Sequence, residues 1–178
     1  MKKKIVIIGL AIILLLSVCT QASAYSLWGY KWASKTIIYK HVSGTSSDST
    51  TAFASGTIDF NSKTNVTLAV SSVTTATLYL TDFNATFVDW DGLTSITSSS
   101  GSYFSMVYCY LNTYYTAGYS TNMRRSVAAH ELGHALGLGD LGTAFNALMN
   151  GYTPYRFTYW GVYTPQADDI SGVNSIYP

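Results

Sequence analysis

The chain has 178 residues, with ten basic and nine acidic side chains, so its formal net charge is +1. Residues 25–178 hold seven of the basic side chains and all of the acidic ones, and their formal net charge near −2 gives no argument for a nucleic-acid-binding protein. The length of this part suits one compact domain and is too short for two.

The N-terminal segment has the pattern of a secretory signal peptide. Lysines 2–4 precede an apolar run at 5–16, and Ala-Ser-Ala at 22–24 is a cleavage sequence with small residues at the required places. A membrane anchor is the alternative, but the apolar run is shorter than the ~20 residues that a spanning helix needs. We therefore predict that residues 1–24 are a signal peptide. The protein would be secreted and extracellular, with no stable membrane association after the peptide is removed.

The two cysteines lie on either side of the predicted cleavage point. Cys19 leaves open a lipid-anchored protein, although Val18 is bulkier than the residue that usually precedes a modified cysteine. Cys109 is the only cysteine of residues 25–178, so no disulfide can form within them and the fold depends on its core and on any bound metal. We expect Cys109 to be a small, buried apolar residue.

The first half of the predicted domain alternates strand-like and helix-like stretches. β-branched and aromatic side chains favour the strands, and polar side chains at 46–48 can cap a helix that Gly56 weakens. The predicted elements are a strand at 35–40, a helix at 51–61, and strands at 66–73 and 76–80.

Four side chains with oxygen donors follow in close succession: Asp82, Asn84, Asp89 and Asp91. Calcium prefers such ligands, but their spacing fits no fixed template. Solvated loop carboxylates are the alternative, so Ca²⁺ is only a candidate cofactor for this stretch.

A further strand-like stretch follows a serine-rich segment. Residues 98–102 are predicted as a flexible loop, and residues 102–112 alternate between two kinds of side chain, which predicts a strand. The two faces of this strand are Phe104, Met106, Tyr108 and Tyr110 on one side, and Val107, Cys109 and Leu111 on the other.

The segment with the clearest chemistry reads His-Glu-Leu-Gly-His and begins at His130. Residues four apart share a face of a helix, so His130 and His134 can present two imidazole nitrogens to one metal ion, with Glu131 beside them as a base. Side chains at 120–122 can cap this helix. The five-residue pattern can also arise by chance on a buried amphipathic helix. Two of the three histidines and the only glutamate of the chain lie here, however, which favours a metal site.

The residues after this segment extend the pattern. Gly137 has no Cβ and can turn the chain out of the helix, which brings Asp140 towards the same ion. Three protein ligands and one open position define a catalytic zinc site. The extended motif resembles the long zinc motif of the metzincin proteases, which usually ends in histidine. An aspartate in that place is similar to the snapalysin-like branch.

Further stretches resemble the matrixins, a family of metzincins. Residues 25–32 are similar to the opening of a matrixin catalytic domain, Ala-Leu-Met at 147–149 resembles the Met-turn beneath the zinc, and residues 165–177 resemble the final helix. The aromatic-rich residues 151–166 correspond in position to the loop that walls the main specificity pocket. Some metzincins have a zinc-touching tyrosine two residues after the methionine; that place is glycine here, so Tyr152 is not assigned as a ligand.

The resemblance implies an α+β fold of the metzincin type. A twisted, mixed five-stranded sheet would be combined with three helices and an active-site cleft, and residues 102–112 would be the exposed edge strand above the active site. Residues 25–178 would form this catalytic domain.

The resemblance also implies roles for the site residues. His130, His134 and Asp140 would bind one catalytic Zn²⁺. The general base would be Glu131, with Met149 beneath the metal. The C-terminal pair would give structural support, with one aspartate on the Met-turn and the other on the free N-terminus, which suggests Asp168 and Asp169 respectively.

These observations together predict a secreted zinc-dependent endopeptidase. It would hydrolyse peptide bonds of extended protein substrates through a zinc-activated water. We expect a monomer that binds protein or peptide substrates and no nucleic acid. The alternative is a non-catalytic secreted zinc-binding module of the same fold. The intact set of His130, Glu131, His134 and Met149 favours the enzyme.

Overall fold

The computed structural model describes residues 25–71 and 76–178. The predicted signal peptide, and the end of the strand predicted at 66–73, lie outside these ranges. The helices are α1 (Ser47–Lys63), α2 (Thr113–Thr116), α3 (Thr121–Ala135) and α4 (Ala167–Ile176), with a π-helix at Pro154–Tyr159. The strands are β1 (Ser26–Leu27), β2 (Thr36–His41), β3 (Thr67–Val70), β4 (Leu78–Phe83), β5 (Gly92–Ser100), β6 (Tyr103–Asn112) and β7 (Leu138–Gly139).

Five strands form one mixed sheet in the order β3-β2-β4-β6-β5. The pairs β3–β2, β2–β4 and β4–β6 are parallel, whereas β5 runs antiparallel to β6. β1 and β7 form a separate antiparallel pair. With α1, α3 and α4 as the three longer helices, this is the predicted α+β architecture.

The edge strand of the sheet beside β6 is β5, so the prediction that residues 102–112 form the edge is wrong. β6 lies between β4 and β5 and pairs with both. Residues 98–100, predicted as a loop, are the end of β5. The alternation in β6 reflects burial of one face, which internal and edge strands share. The serine- and threonine-rich β5 has the polar character that suits an edge.

Helix α1 is well capped and packs closely on α3. The Ser46 side chain accepts a hydrogen bond from the Ser49 N–H, which starts the helix where the sequence predicts a cap. Gly56 lies in the contact with α3, where a Cβ would be only 2.9 Å from Leu132 Cδ1. The glycine that weakens the helix prediction therefore permits the close approach of the two helices.

The core lies between α1, α3 and one face of the sheet. Val107, Cys109 and Leu111 are fully buried there, as the alternation in β6 predicts. The opposite face carries cross-strand aromatic contacts such as Tyr79 on Tyr108, with ring centroids 4.7 Å apart. None of the described helices is long and apolar enough to cross a membrane. Because α3 packs on β5 and β6, its histidine motif lies beside the sheet edge.

Candidate metal centre and cleft

Helix α3 presents the motif and ends directly after it. Its N-cap is Ser120, whose side chain accepts from the Met123 N–H, in agreement with the predicted cap. After the helix, Gly137 adopts φ +98°, a conformation that favours glycine, and a Cβ there would overlap the Tyr30 carbonyl oxygen. The turn predicted at Gly137 is therefore present, and it leads through β7 to Asp140.

The structure brings His130, His134 and Asp140 together. Asp140 Oδ1 lies 3.2 Å from His130 Nε2 and 3.4 Å from His134 Nε2. Among the described residues, this is the only group of three or more His, Cys, Asp or Glu side chains that could hold a metal, with ligand atoms within 4.8 Å of one another. The three predicted ligands thus converge on one point.

Backbone carbonyls orient both imidazole rings. His130 Nδ1 is 2.9 Å from the Leu148 carbonyl oxygen, and His134 Nδ1 is 2.9 Å from that of Leu138. A carbonyl can only accept, so each Nδ1 carries the proton and each Nε2 directs its lone pair towards Asp140. Two neutral imidazoles fixed in this way, with one carboxylate, form a donor set that fits zinc.

Burial and mutual contacts set the charges of these groups. Burial lowers the pKa of His130 to about 3, so this ring is neutral at physiological pH. Burial also acts to raise the pKa of Asp140, but its contacts with His130 and His134 outweigh burial and lower that pKa. At His134 burial acts to lower the pKa, and the contacts with Asp140 and Glu131 raise it overall. An ionised carboxylate beside a neutral ring is the state that binds a cation.

Met149 lies directly beneath the motif helix. Its side chain is buried, and a Cβ on Gly133 would overlap its Sδ atom. The backbone N–H groups of Leu148 and Met149 donate to Asp169 Oδ2 and Oδ1, at 2.8 and 3.0 Å. The Asp169 carboxylate thus holds the backbone of the turn that contains Met149.

The assignment of the two C-terminal aspartates is corrected by these contacts. Asp169, rather than Asp168, supports the turn, because it is the third residue of α4 and its carboxylate points back to accept from the Gln166 N–H as well. Its oxygens accept hydrogen bonds from these three donors. The suggested pairing of Asp169 with an N-terminus released at residue 25 stays a prediction. Asp168, one residue earlier, is only partly buried.

Glu131 is buried next to the metal-type group, which is the set of candidate ligands His130, His134 and Asp140. Its Oε2 accepts a hydrogen bond of 2.7 Å from the Thr94 hydroxyl. Burial raises the pKa of Glu131 to about 7, although His134 and the Thr94 hydroxyl oppose this. Thr94 was not identified from the sequence, because a threonine in a strand has no feature that distinguishes it from its neighbours.

A cavity of about 430 Å³ opens above these groups. Trp28 forms part of its wall and stacks on the His134 ring, with centroids 4.4 Å apart and planes 11° apart. Tyr119 and Asp91 also line it, joined by a 3.0 Å hydrogen bond. Tyr152 lines the cavity but is 54% exposed. Trp28 and Tyr119 were not predicted for the site, whereas Tyr152 lies in the segment 151–166 that was expected to wall a pocket, and Asp91 was considered as an oxygen donor.

Arg156 lies in the segment 151–166, but its own role was not identified from the sequence. It lines the cavity and is almost completely buried, and its guanidinium donates to Ser126 Oγ, the Asn150 carbonyl and Thr153 Oγ1. Burial lowers its pKa. Arg156 therefore ties the segment after Met149 to helix α3.

Three of the four candidate calcium ligands contact separate partners in the structure, and none of the aspartates among them belongs to the metal-type group of described residues. The Asp82 carboxylate accepts from Ser46 at the start of α1, Asn84 donates to Thr113, and Asp91 accepts from Tyr119. These contacts use the side chains for local structure and give no support to a calcium site.

Comparison with known families gives one match. The family model described as Matrixin matches residues 32–178, which is most of the chain. No curated protein matches the chain.

Proposed function

Because the chain belongs to the matrixin family of zinc-dependent metalloproteases, we propose that it is a secreted endopeptidase that hydrolyses peptide bonds of extended protein substrates. The observation that carries this proposal is the convergence of His130, His134 and Asp140 beside the buried Glu131. We further propose that it acts as a monomer on protein or peptide substrates, without a nucleic-acid partner.

In this proposal His130, His134 and Asp140 hold one zinc ion. When bound, the metal would polarise the scissile carbonyl and acidify the attacking water. Glu131 accepts the proton of that water and transfers it to the leaving amine. The carbonyls of Leu148 and Leu138 keep both imidazoles in the tautomer that leaves Nε2 free.

Strand β5 gives a place for an extended substrate. It pairs with β6 on one side and forms the edge of the sheet on the other, and its first residues line the cavity beside Glu131. A substrate can add itself along this edge as a further strand, through main-chain hydrogen bonds. Its scissile bond would then lie in the cleft.

The test is cleavage of casein, an unstructured protein, by the purified zinc-loaded protein. We expect cleavage that a chelator abolishes and that Glu131→Gln reduces by at least 10²-fold, because the variant keeps the shape of the side chain and loses the base. Asp48→Asn, which changes an exposed carboxylate on α1, is the matched control and should retain activity. A protein that binds one zinc and cuts nothing across a broad peptide library would instead be the non-catalytic module.

A further inference from the structure

The hydroxyl of Thr94 lies in one small buried cluster with Glu131. Its Oγ1 is 2.7 Å from Glu131 Oε2, 2.9 Å from the Glu131 carbonyl oxygen and 3.6 Å from Cys109 Sγ. Thr94 and Glu131 are both less than 10% exposed. The hydroxyl has one proton, and when Glu131 is ionised its Oε2 is the charged acceptor and the nearest of these three atoms, so the proton is donated to Oε2.

The backbone of Thr94 is held in place by the sheet. It lies in β5 directly opposite Cys109 of β6, ahead of the register irregularity that begins at Ile96. A β-branched side chain in a strand has few accessible rotamers, so the position of Oγ1 is fixed by the strand. The hydroxyl is therefore a rigid donor, in contrast to the flexible glutamate side chain that it contacts.

The second carboxylate oxygen of Glu131 lies beside Gly92, the first residue of β5. A Cβ on Gly92 would overlap Oε1, and Gly92, Thr94 and Glu131 all line the cavity. Within the described residues no donor bonds to Oε1. One oxygen thus accepts from Thr94, whereas the other has no hydrogen-bond donor among the described residues.

We propose that Thr94 is a positioning residue for Glu131: its hydroxyl fixes Oε2 so that Oε1 faces the reacting water. This inference rests on the proposed function. Thr94 takes no proton from substrate and forms no covalent bond, and its contribution is to hold the base in the productive geometry before substrate binds. A purely structural role would require only that the buried carboxylate be satisfied by some donor.

Three variants separate these two roles. Thr94→Val keeps the shape of the side chain and removes the donor, whereas Thr94→Ser keeps the donor. Thr57→Val makes the same change on α1, where a buried threonine hydroxyl donates to the Ala54 carbonyl. Zinc content and melting temperature are measured for all three, so that kinetics are compared among folded, metal-loaded proteins.

The kinetic expectation follows from the loss of one hydrogen bond to a charged group. We expect Thr94→Val to lower kcat about tenfold or more, with KM within about twofold of the unmodified protein. Thr94→Ser should restore kcat to within about threefold, and Thr57→Val should leave it unchanged. A Thr94→Val enzyme with unaltered kcat, or with an effect confined to KM, would overturn the proposal, as would equal losses in the serine and valine variants.

A spectroscopic measurement tests the same contact without turnover. Glu131 is the only glutamate of the chain, so protein labelled with ¹³Cδ-glutamate gives one side-chain carboxyl resonance that belongs to this residue. We expect the same chemical shift in the unmodified protein and Thr94→Ser, and a displaced or broadened signal in Thr94→Val. An unchanged signal in the valine variant would show that Thr94 does not fix the carboxylate.

The two readouts distinguish the failure of this inference from that of the proposed function. If the zinc-loaded, unmodified protein cleaves nothing, the endopeptidase proposal fails, and the carboxyl resonance alone decides whether Thr94 holds Glu131. If it cleaves casein and the valine variant is as fast, the function stands and the positioning role is overturned.

Discussion

Asp140 is the member of the metal-type group that depends least on the helix. Its side chain is 58% exposed, whereas those of His130 and His134 are 7% exposed and fixed by backbone carbonyls. The three-ligand set can therefore be tested most cleanly here, because removing this carboxylate leaves the helix and both imidazoles in place.

We expect Asp140→Ala to lower the affinity for zinc by at least 10²-fold, since two neutral imidazoles remain where three ligands and one negative charge had been. Competition with a chromogenic chelator measures this. Asp168→Ala, which removes a partly buried carboxylate outside the group, should bind zinc with unaltered affinity. Equal affinities in the two variants would exclude Asp140 as a ligand.

Cys109 should be chemically inert in the folded protein. The side chain is fully buried, and burial together with the nearby Glu131 raises the pKa of its thiol. Because the thiolate is the reactive form, we expect no modification by a thiol reagent at pH 8 under native conditions and one modified cysteine per domain after unfolding in guanidinium. Fast native labelling of Cys109 would contradict the packing of β6 against α3.

At the residue scale, sequence patterns identify what is local in the chain. His130, His134 and Gly137 act through spacings of a few residues, and their arrangement is as predicted. Thr94 meets Glu131 across 37 residues, and Arg156 meets Ser126 across 30. Such partners have no local signature, because their roles arise only when separate elements pack together.

At the element scale, the start of α4 has two functions. It is a capping box, in which Asp169 accepts from the Gln166 N–H, and the same carboxylate holds the segment that contains Met149. The sequence shows an Asp-Asp pair at a helix start, where either residue could cap. Which aspartate reaches the turn depends on the direction of each side chain around the helix, and that is set by packing.

The aspartate pair offers a matched stability test. We expect Asp169→Ala to lower the free energy of unfolding by about 2–4 kcal/mol, because it leaves backbone donors of Leu148 and Met149 buried without an acceptor. Asp168→Ala should cost less than about 0.5 kcal/mol. Urea unfolding of both variants measures the difference. The opposite order would restore the original assignment of Asp168 to the turn.

For the strands, too, the sequence predicts where an element lies but does not predict which neighbours it pairs with. Alternation correctly predicts a strand at 102–112, but the pairing of β6 with β4 joins residues about 30 positions apart, which no local pattern encodes. β5 lacks a strong apolar pattern because it lies at the edge. Its position explains how its first residues can line the cleft beside Glu131.

At the scale of the whole molecule, the sequence-based fold class is confirmed because several independent patterns agree. The capped helices, the β-branched strands and the glycine turn after α3 are each consistent with this fold, and the Matrixin family model covers residues 32–178.

One buried polar atom of the described residues lacks a hydrogen bond. His41 Nδ1 is buried and has no hydrogen-bond partner among the residues of the two described ranges.

The half-buried His41 should make the stability of the whole domain sensitive to acid. Burial lowers the pKa of His41 below the ordinary histidine value of 6.5, so as pH falls the unfolded chain takes up a proton before the folded one does. The contribution of neutral His41 to the free energy of unfolding is therefore fully present above pH 6.5 and is lost as pH falls through the pKa of the folded state.

We expect the free energy of unfolding to fall less steeply between about pH 7 and pH 5 in His41→Gln than in the unmodified protein. The difference should stay below the ~1.4 kcal/mol per pH unit that one full proton would give, because the ring is half exposed. Urea denaturation at several pH values, with zinc held constant, measures both slopes. Parallel curves would mean that His41 titrates alike in the folded and unfolded chains, and the acid sensitivity would then belong to other buried groups.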